Sequence, residues 1–279
     1  EYKVMGLAPY GSPRFAQTIR KHLIEILPDG SFWLNMKYFA YLTNLTMTNQ
    51  SFHDLFEGPP RNTGEELSQR HMDIAASVQK VVEDALLLLS KEAKRVTGAE
   101  FLCMAGGCAL NCVANGILAR EKIFRQVFVQ PAAGDSGASM GAALWAWHEI
   151  LRQQRHFSAG DSLKGSLLGP SYAPDDIEAR LHRLGAVFQK FDTALLPDII
   201  ANLLESGKVV GLFQGRMEFG PRALGNRSIL GDPRRKDMQA KINLAIKFRE
   251  SFRPFAPSVL ADKASDYFEM EGESPYMLF

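Results

Sequence analysis

Residues 213–259 read FQGRMEFGPRALGNRSILGDPRRKDMQAKINLAIKFRESFRPFAPSV. Between Gln214 and Pro254 stand ten Lys or Arg: Arg216, Arg222, Arg227, Arg234, Arg235, Lys236, Lys241, Lys247, Arg249 and Arg253. Four acids oppose them, Glu218, Asp232, Asp237 and Glu250, so the segment carries +6 in a chain whose net charge is +1, and the remainder is −5. Gly215, Gly220, Pro221 and Gly225 are interleaved with the first three arginines. Glycine lets backbone approach a ligand and proline fixes φ, so these arginines are expected on a shaped loop. A solvated basic face is the plain alternative. The apolar residues among the charges (Phe213, Met217, Phe219, Leu224, Ile229, Leu230, Phe248, Phe252, Phe255 and Val259) favour a partly buried anion pocket instead.

At 279 residues the chain has room for two domains, and 46% hydrophobic with 23% charged residues is a globular composition. No apolar run approaches the roughly 20 residues that span a bilayer. Three cysteines, Cys103, Cys108 and Cys112, lie within ten residues. Their odd number and spacing suit a reducing cytoplasm and small packing roles better than disulfides or a metal cluster.

Along the chain, Arg14 to Ile26 reads as a helix, and Pro28-Asp29-Gly30 followed by SFWLNMKYF as a hairpin. Thr63-Gly64-Glu65-Glu66 has the form of a capping box. It opens a long amphipathic helix whose buried stripe is Leu67, Ile74, Val78, Val81, Ala85, Leu89, Ala93 and Val96, ending at Gly98. His71 lies near that stripe as a boundary residue rather than a ligand. Two strand–glycine–helix units follow. The first runs from Phe101–Met104 through Gly106, Gly107 and Asn111 into a helix towards Ala119. The second runs from Val127–Gln130 through Gly134, Asp135 and Gly137 into a helix from Ala138 to Trp147. Such turns bring backbone N–H groups and a helix N-terminus to a phosphate, although close packing explains a diglycine equally well. Asn111 suits either a ribose hydroxyl or a helix cap, and Asp135 either a ligand position beyond a strand end or a plain cap.

The polar stretch 153–169 reads as a linker between domains 1–152 and 170–279. Beyond it the pattern gives a helix at Pro174–Leu184, a strand at Ala186–Phe191, a helix at Leu195–Ser206 and a strand at Val209–Phe213. Then come a strand at Ser228–Leu230, a helix at Asp237–Ala245 and a strand at Phe255–Leu260. This alternation implies an α/β fold.

GRMEFGPRALGNRSIL (215–230), followed by INLAIKFRESFRPFAPSVL (242–260), resembles the signature of the O-carbamoyltransferases of nodulation-factor and antibiotic biosynthesis. AGGCALN (105–111) and GDSGASMGAA (134–143) resemble the glycine loops of their actin-like ATPase (ASKHA) transferase domain. The resemblance implies the C-terminal lobe of an ASKHA domain at 1–152 and a YrdC-like α/β domain, cut at its C-terminus, at 170–279. It implies synthesis of carbamoyl-adenylate from carbamoyl phosphate and ATP, and carbamoyl transfer to a hydroxyl of a sugar or antibiotic-type acceptor. Arg216, Arg222, Arg227, Lys247, Arg249 and Arg253 then form the anion cradle, with Ser228 as hydroxyl donor and Arg222 pre-aimed at a phosphate. Lys3, in a segment near the family's nucleotide site, joins Gly106, Gly107, Asn111, Gly134 and Gly137 in binding nucleotide. Asp135 corresponds to a ligand of a divalent metal, iron in related domains, and magnesium accompanies ATP. The metal's partner histidines lie in an H-x-x-x-H segment that none of His22, His53, His71, His148, His156 or His182 forms. With Glu1 at one end and PYMLF at the other, the chain is expected to be an internal fragment lacking the other lobe of its first domain. The expected partners are these small molecules, with no nucleic acid and no membrane, and a homo-oligomer is compatible with the sequence. Two other classes compete: an ASKHA-type ATP-dependent kinase, in which the 213–259 block has no place, and a nucleic-acid-binding module. The second would need an extended basic stripe with exposed aromatics, whereas the rest of this chain is acidic.

Overall fold

The computed structural model describes residues 2–62, 64–157, 160–270 and 272–279. These fall into two compact units, one comprising residues up to Met104 with Asn111–Phe128 and Phe279, the other Ala105–Leu110 with Val129–Leu278.

The first unit is built on one long helix. In chain order it contains α1 (Tyr2–Leu7), α2 (Ala16–His22), β1 (Ile24–Ile26), β2 (Phe32–Leu34), α3 (Gln50–Leu55), α4 (Gln69–Thr97), β3 (Phe101–Met104) and α5 (Cys112–Arg120). β4 (Gln126–Val129) pairs with β3. α4 opens at Ser68, whose N–H donates to His71 Nδ1 at 3.1 Å, and closes on Gly98 in the left-handed region at φ 63°. The expected capping box at Thr63 lies outside the described residues, and Leu67 is not helical. Burial chiefly, then the charges of Arg70 and Arg61, lower the His71 pKa and favour the neutral ring that accepts this bond.

The core gathers Phe15, Ile19, Leu23, Tyr38, Phe56 and Val81, with Phe15 and Phe56 edge to face at 5.4 Å. The stripe of α4 is covered only along its first half, since Val96 is 66% exposed. The helix expected over 14–26 stops at His22. Ile24–Ile26 instead pair antiparallel with Phe32–Leu34 in the expected hairpin, whose turn is tightened by Asp29 accepting from the Ser31 N–H at 3.0 Å.

A buried carboxylate fixes how the chain crosses α4. Asp73 accepts from the Ser12 N–H at 2.9 Å, Gln69 Nε2 at 2.9 Å and Arg14 Nε at 2.8 Å. Ser77 Oγ donates to the Asp73 carbonyl at 2.6 Å and accepts from the Phe15 N–H at 3.0 Å. Gly11 makes the crossing sterically feasible, because a Cβ there would sit 2.1 Å from the Met72 carbonyl oxygen.

The second unit contains α6 (Asp135–Trp145), α7 (Pro174–Arg183), α8 (Leu196–Glu205), β5 (Val210–Phe213), β6 (Arg227–Leu230), α9 (Met238–Lys241) and α10 (Ala264–Tyr267). A π turn at Ala146–Ile150 extends α6, and another at Ile242–Ile246 extends α9. The strands expected at 186–191 and 255–260 are absent. Val187 is fully exposed, and the carbonyls of Ser251 and Arg253, leading into the second segment, are taken by the Asn243 side chain. Helices and strands are thus mixed as α/β patterning implies. Among the described residues, however, the strands form three two-stranded pieces, with β1–β2 and β5–β6 antiparallel. No described helix is long and apolar enough to cross a membrane.

Replacing Asp73 by Asn should destabilise the protein by about 2–3 kcal/mol, the range for charged hydrogen bonds with buried partners, read by urea unfolding at pH 7. The Asp73 carboxyl is held down to about 2, by the Ser12 N–H first and then by Gln69 and Arg14 against desolvation. Its folded pKa lies below its unfolded value, so its contribution is full above about pH 4 and is lost as pH falls towards 2. The Asn variant should lack that component of the acid transition.

Candidate functional site

β5 and β6 carry the basic loop. Their register sets Val210 opposite Leu230 and Phe213 opposite Arg227, and the Gln214 N–H reaches the Asn226 carbonyl at 2.9 Å. The intervening loop wraps around Glu218, which is buried. Glu218 Oε1 accepts from the Leu224 N–H at 2.6 Å and the Asn226 N–H at 2.7 Å. Oε2 lies 3.2 Å from Arg227 Nε as an ion pair, without the alignment of a hydrogen bond. Desolvation raises the Glu218 pKa, but the two N–H donors and Arg227 outweigh it and the net direction is down. Residues 166–170, at the end of the stretch read as a linker, bond to this loop. Phe219 N–H donates to the Ser166 carbonyl at 2.6 Å and Met217 N–H to that of Pro170 at 3.0 Å. Residues 158 and 159 of that stretch lie outside the described residues.

The expected cradle separates into two groups. Arg227 Nη2 donates to the carbonyls of Gly220 at 2.9 Å and Arg222 at 3.1 Å. Arg222 donates to the carbonyl of Leu110 at 2.8 Å and to those of Tyr276 and Met277. Its fork, expected to point at a phosphate, here braces backbone, and Ser228 Oγ accepts from the Gly225 N–H at 3.1 Å. Arg216 is exposed on the same loop.

Lys247, Arg249 and Arg253 form the second group, on the turn that follows the π segment. Asn243, fully buried, holds this turn. Its Nδ2 donates to the carbonyls of Ser251 at 3.0 Å and Arg253 at 2.8 Å, while its Oδ1 accepts from Arg249 Nε at 2.6 Å. Desolvation first, then the charges of Arg249 and Arg253, push the Lys247 ammonium below its ordinary value. Desolvation and Arg253 act likewise on Arg249, which lies over the Phe255 ring at 5.0 Å. Glu250 is 3.5 Å from Arg253. π turns recur at functional sites, and this one sets three cations on one short turn.

The glycine loops are braced backbone. The Gly106 N–H donates to the Ala133 carbonyl at 2.8 Å, and Gly107 opens a 3-10 turn. Gly134 caps α6, and Gly137 permits contact with the Ala132 carbonyl, 2.1 Å from where a Cβ would lie. In the first unit Lys3 is exposed on α1, and Asn111 caps α5 by accepting from the Ala114 N–H at 3.1 Å. Asn111 also exchanges two side-chain bonds with Gln79, at 2.9 and 3.3 Å. Asp135 stands exposed in the first turn of α6. Among the described residues no three His, Cys, Asp or Glu come together as a metal-binding group, so this donor set does not fit a metal. Glu218 and Asn243 were missed by sequence reasoning. Their signals were an acid alone within an arginine-glycine loop and an amide inside the apolar run INLAI.

Residues 1–144 match the family model described as Carbamoyltransferase N-terminus, and residues 201–279 match Carbamoyltransferase C-terminus. An uncharacterized protein of Synechocystis sp. is 53% identical over all of this chain and 46% of its own length. Nodulation protein NolO of Bradyrhizobium diazoefficiens is 37% identical over all of this chain and 49% of its length. Nodulation protein NolNO of Sinorhizobium fredii is 38% identical, with 39% of its length covered. The chain therefore spans half or less of these relatives.

Glu218→Gln should cost about 2–4 kcal/mol in denaturant unfolding, since it removes the charge facing Arg227 and one acceptor. Because the Glu218 pKa is lowered on folding, its contribution is present above about pH 4.5 and falls away below. Arg222→Lys, which cannot reach three carbonyls with a fork, should lower the thermal midpoint measurably while leaving affinity for inorganic phosphate unchanged.

Proposed function

The chain belongs to the carbamoyltransferase family, and from that premise we propose that it is the working part of an ATP-dependent O-carbamoyltransferase. The observation that carries the proposal is the cationic turn 247–253. Three like charges are held together there by a buried amide, two of them with pKa values lowered by desolvation and mutual repulsion. Glu250 opposes part of this charge, and the turn gains further where negative charge accumulates in a transition state.

In this reading residues 170–279, as a YrdC-like domain, bind carbamoyl phosphate and ATP. Water cleaves the bond joining the carbamoyl and phosphoryl groups of carbamoyl phosphate, giving carbamate and inorganic phosphate. A carbamate oxygen attacks the α-phosphorus, the α–β bridging bond breaks, and pyrophosphate leaves. Lys247, Arg249 and Arg253 neutralise the phosphate charge, and Arg216 adds a further exposed cation at the basic loop. Residues 1–152, as part of an ASKHA-type domain, take the second step. An acceptor hydroxyl attacks the carbamoyl carbon, its proton passes to solvent, and AMP departs. The glycine loops at residues 106–107 and 134–137 are the nucleotide-facing elements there. No step is assigned to a metal, because among the described residues Asp135 belongs to no group of three His, Cys, Asp or Glu. The acceptor proposed is a sugar or antibiotic-type hydroxyl.

The test is carbamoyl-phosphate-dependent exchange of labelled pyrophosphate into ATP by the full-length protein. Lys247→Ala and Arg253→Ala should each lower exchange about 10- to 1000-fold, the range for losing an organised charge at a transition state, with unchanged thermal unfolding as control. Exchange at the parent rate in both variants would remove the turn from the chemistry.

A further inference from the structure

Phe248 adopts a conformation that is unfavourable for the chain and buries almost nothing in return. Its φ is 47°, in the left-handed region that bulky side chains seldom enter, and the residue is 85% exposed. The backbone on either side explains how this is imposed. The Lys247 N–H closes the π turn on the Ile242 carbonyl at 2.9 Å. Immediately beyond, Arg249 is tied to Asn243 twice, N–H to carbonyl at 3.0 Å and Nε to Oδ1 at 2.6 Å. Phe248 is the residue between two fixed points, exposed to solvent and flanked in sequence by Lys247 and Arg249. Strained residues persist where the surroundings over-determine them, and they cluster at ligand sites. A flat apolar ring beside concentrated positive charge matches a ligand that is both aromatic and polyanionic.

We propose that Phe248 is the stacking platform for the base of a nucleoside triphosphate whose phosphates engage Lys247, Arg249 and Arg253. The assignment rests on the reading of this turn as a phosphate site and adds to it the recognition of the base. A ring that offers only its face contributes stacking without reading hydrogen-bonding edges. It therefore favours any purine over bare polyphosphate and distinguishes adenine from guanine poorly.

The experiment compares Phe248→Gly and Phe248→Tyr with the parent full-length protein by calorimetry, using ATP, GTP and inorganic tripolyphosphate. Glycine relieves the positive φ, so its thermal midpoint should equal or exceed the parent's. Its dissociation constants for ATP and GTP should rise about 10-fold, with that for tripolyphosphate unchanged, and the tyrosine variant should bind all three as the parent does. Parent-like ATP affinity in the glycine variant overturns the proposal. An equal loss for ATP and tripolyphosphate also overturns it, because the ring would then only order the turn. A parent that binds tripolyphosphate as tightly as ATP removes the base platform but leaves the phosphate site. A parent that binds neither removes both.

Discussion

A carboxylate buried against Arg227 and two backbone N–H groups organises the most highly charged part of this protein. Glu218 holds the 214–226 loop closed by accepting from two backbone N–H groups and facing Arg227. Burying an acid is costly, and here the opposing donors outweigh the desolvation. Asp73 solves the corresponding problem in the first unit, where it ties Ser12 and Arg14 to α4. Asn243 does so without charge, satisfying both ends of its amide on the turn it holds. In each case a single polar group, buried and bonded from several directions, fixes a stretch of chain that has no sheet to define it.

That device divides the cations. Arg222 and Arg227 direct their guanidinium groups at carbonyl oxygens, which suits a planar fork with several donors. Lys247 and Arg249 instead share a turn with Arg253, and their pKa values move down because of burial and proximity to like charge. Backbone bracing thus falls to Arg222 and Arg227, whereas Lys247, Arg249 and Arg253 gather on a separate turn of the same basic segment. The net charge of +6 could not separate them.

The glycines follow the same logic. Gly11 and Gly137 let backbone pass at distances that a Cβ forbids, so one loop crosses α4 and the turn before α6 lies against its first turn without a side chain between them. Asn111 and Gln79 clasp amides between the caps of α5 and the body of α4, turning a residue with two plausible sequence roles into a fixed joint.

Much of this was legible in the residues themselves. Pro28-Asp29-Gly30 specified the hairpin, the three- and four-residue apolar spacing specified α4, and the strand–glycine–helix order located α5 and α6. These features are local, so local chemistry determines them. The focusing of positive charge between Gln214 and Pro254 was also fixed by sequence. Tertiary structure decided the rest. Apolar runs at 186–191 and 255–260 have strand composition but no paired strand, and a strand exists only if another segment supplies its hydrogen bonds. The helix read through Ile26 ended at His22 because Phe32–Leu34 offered that pairing. The use of Arg222 depended on the Leu110 carbonyl, 112 residues away in sequence, a partner no local pattern can reveal.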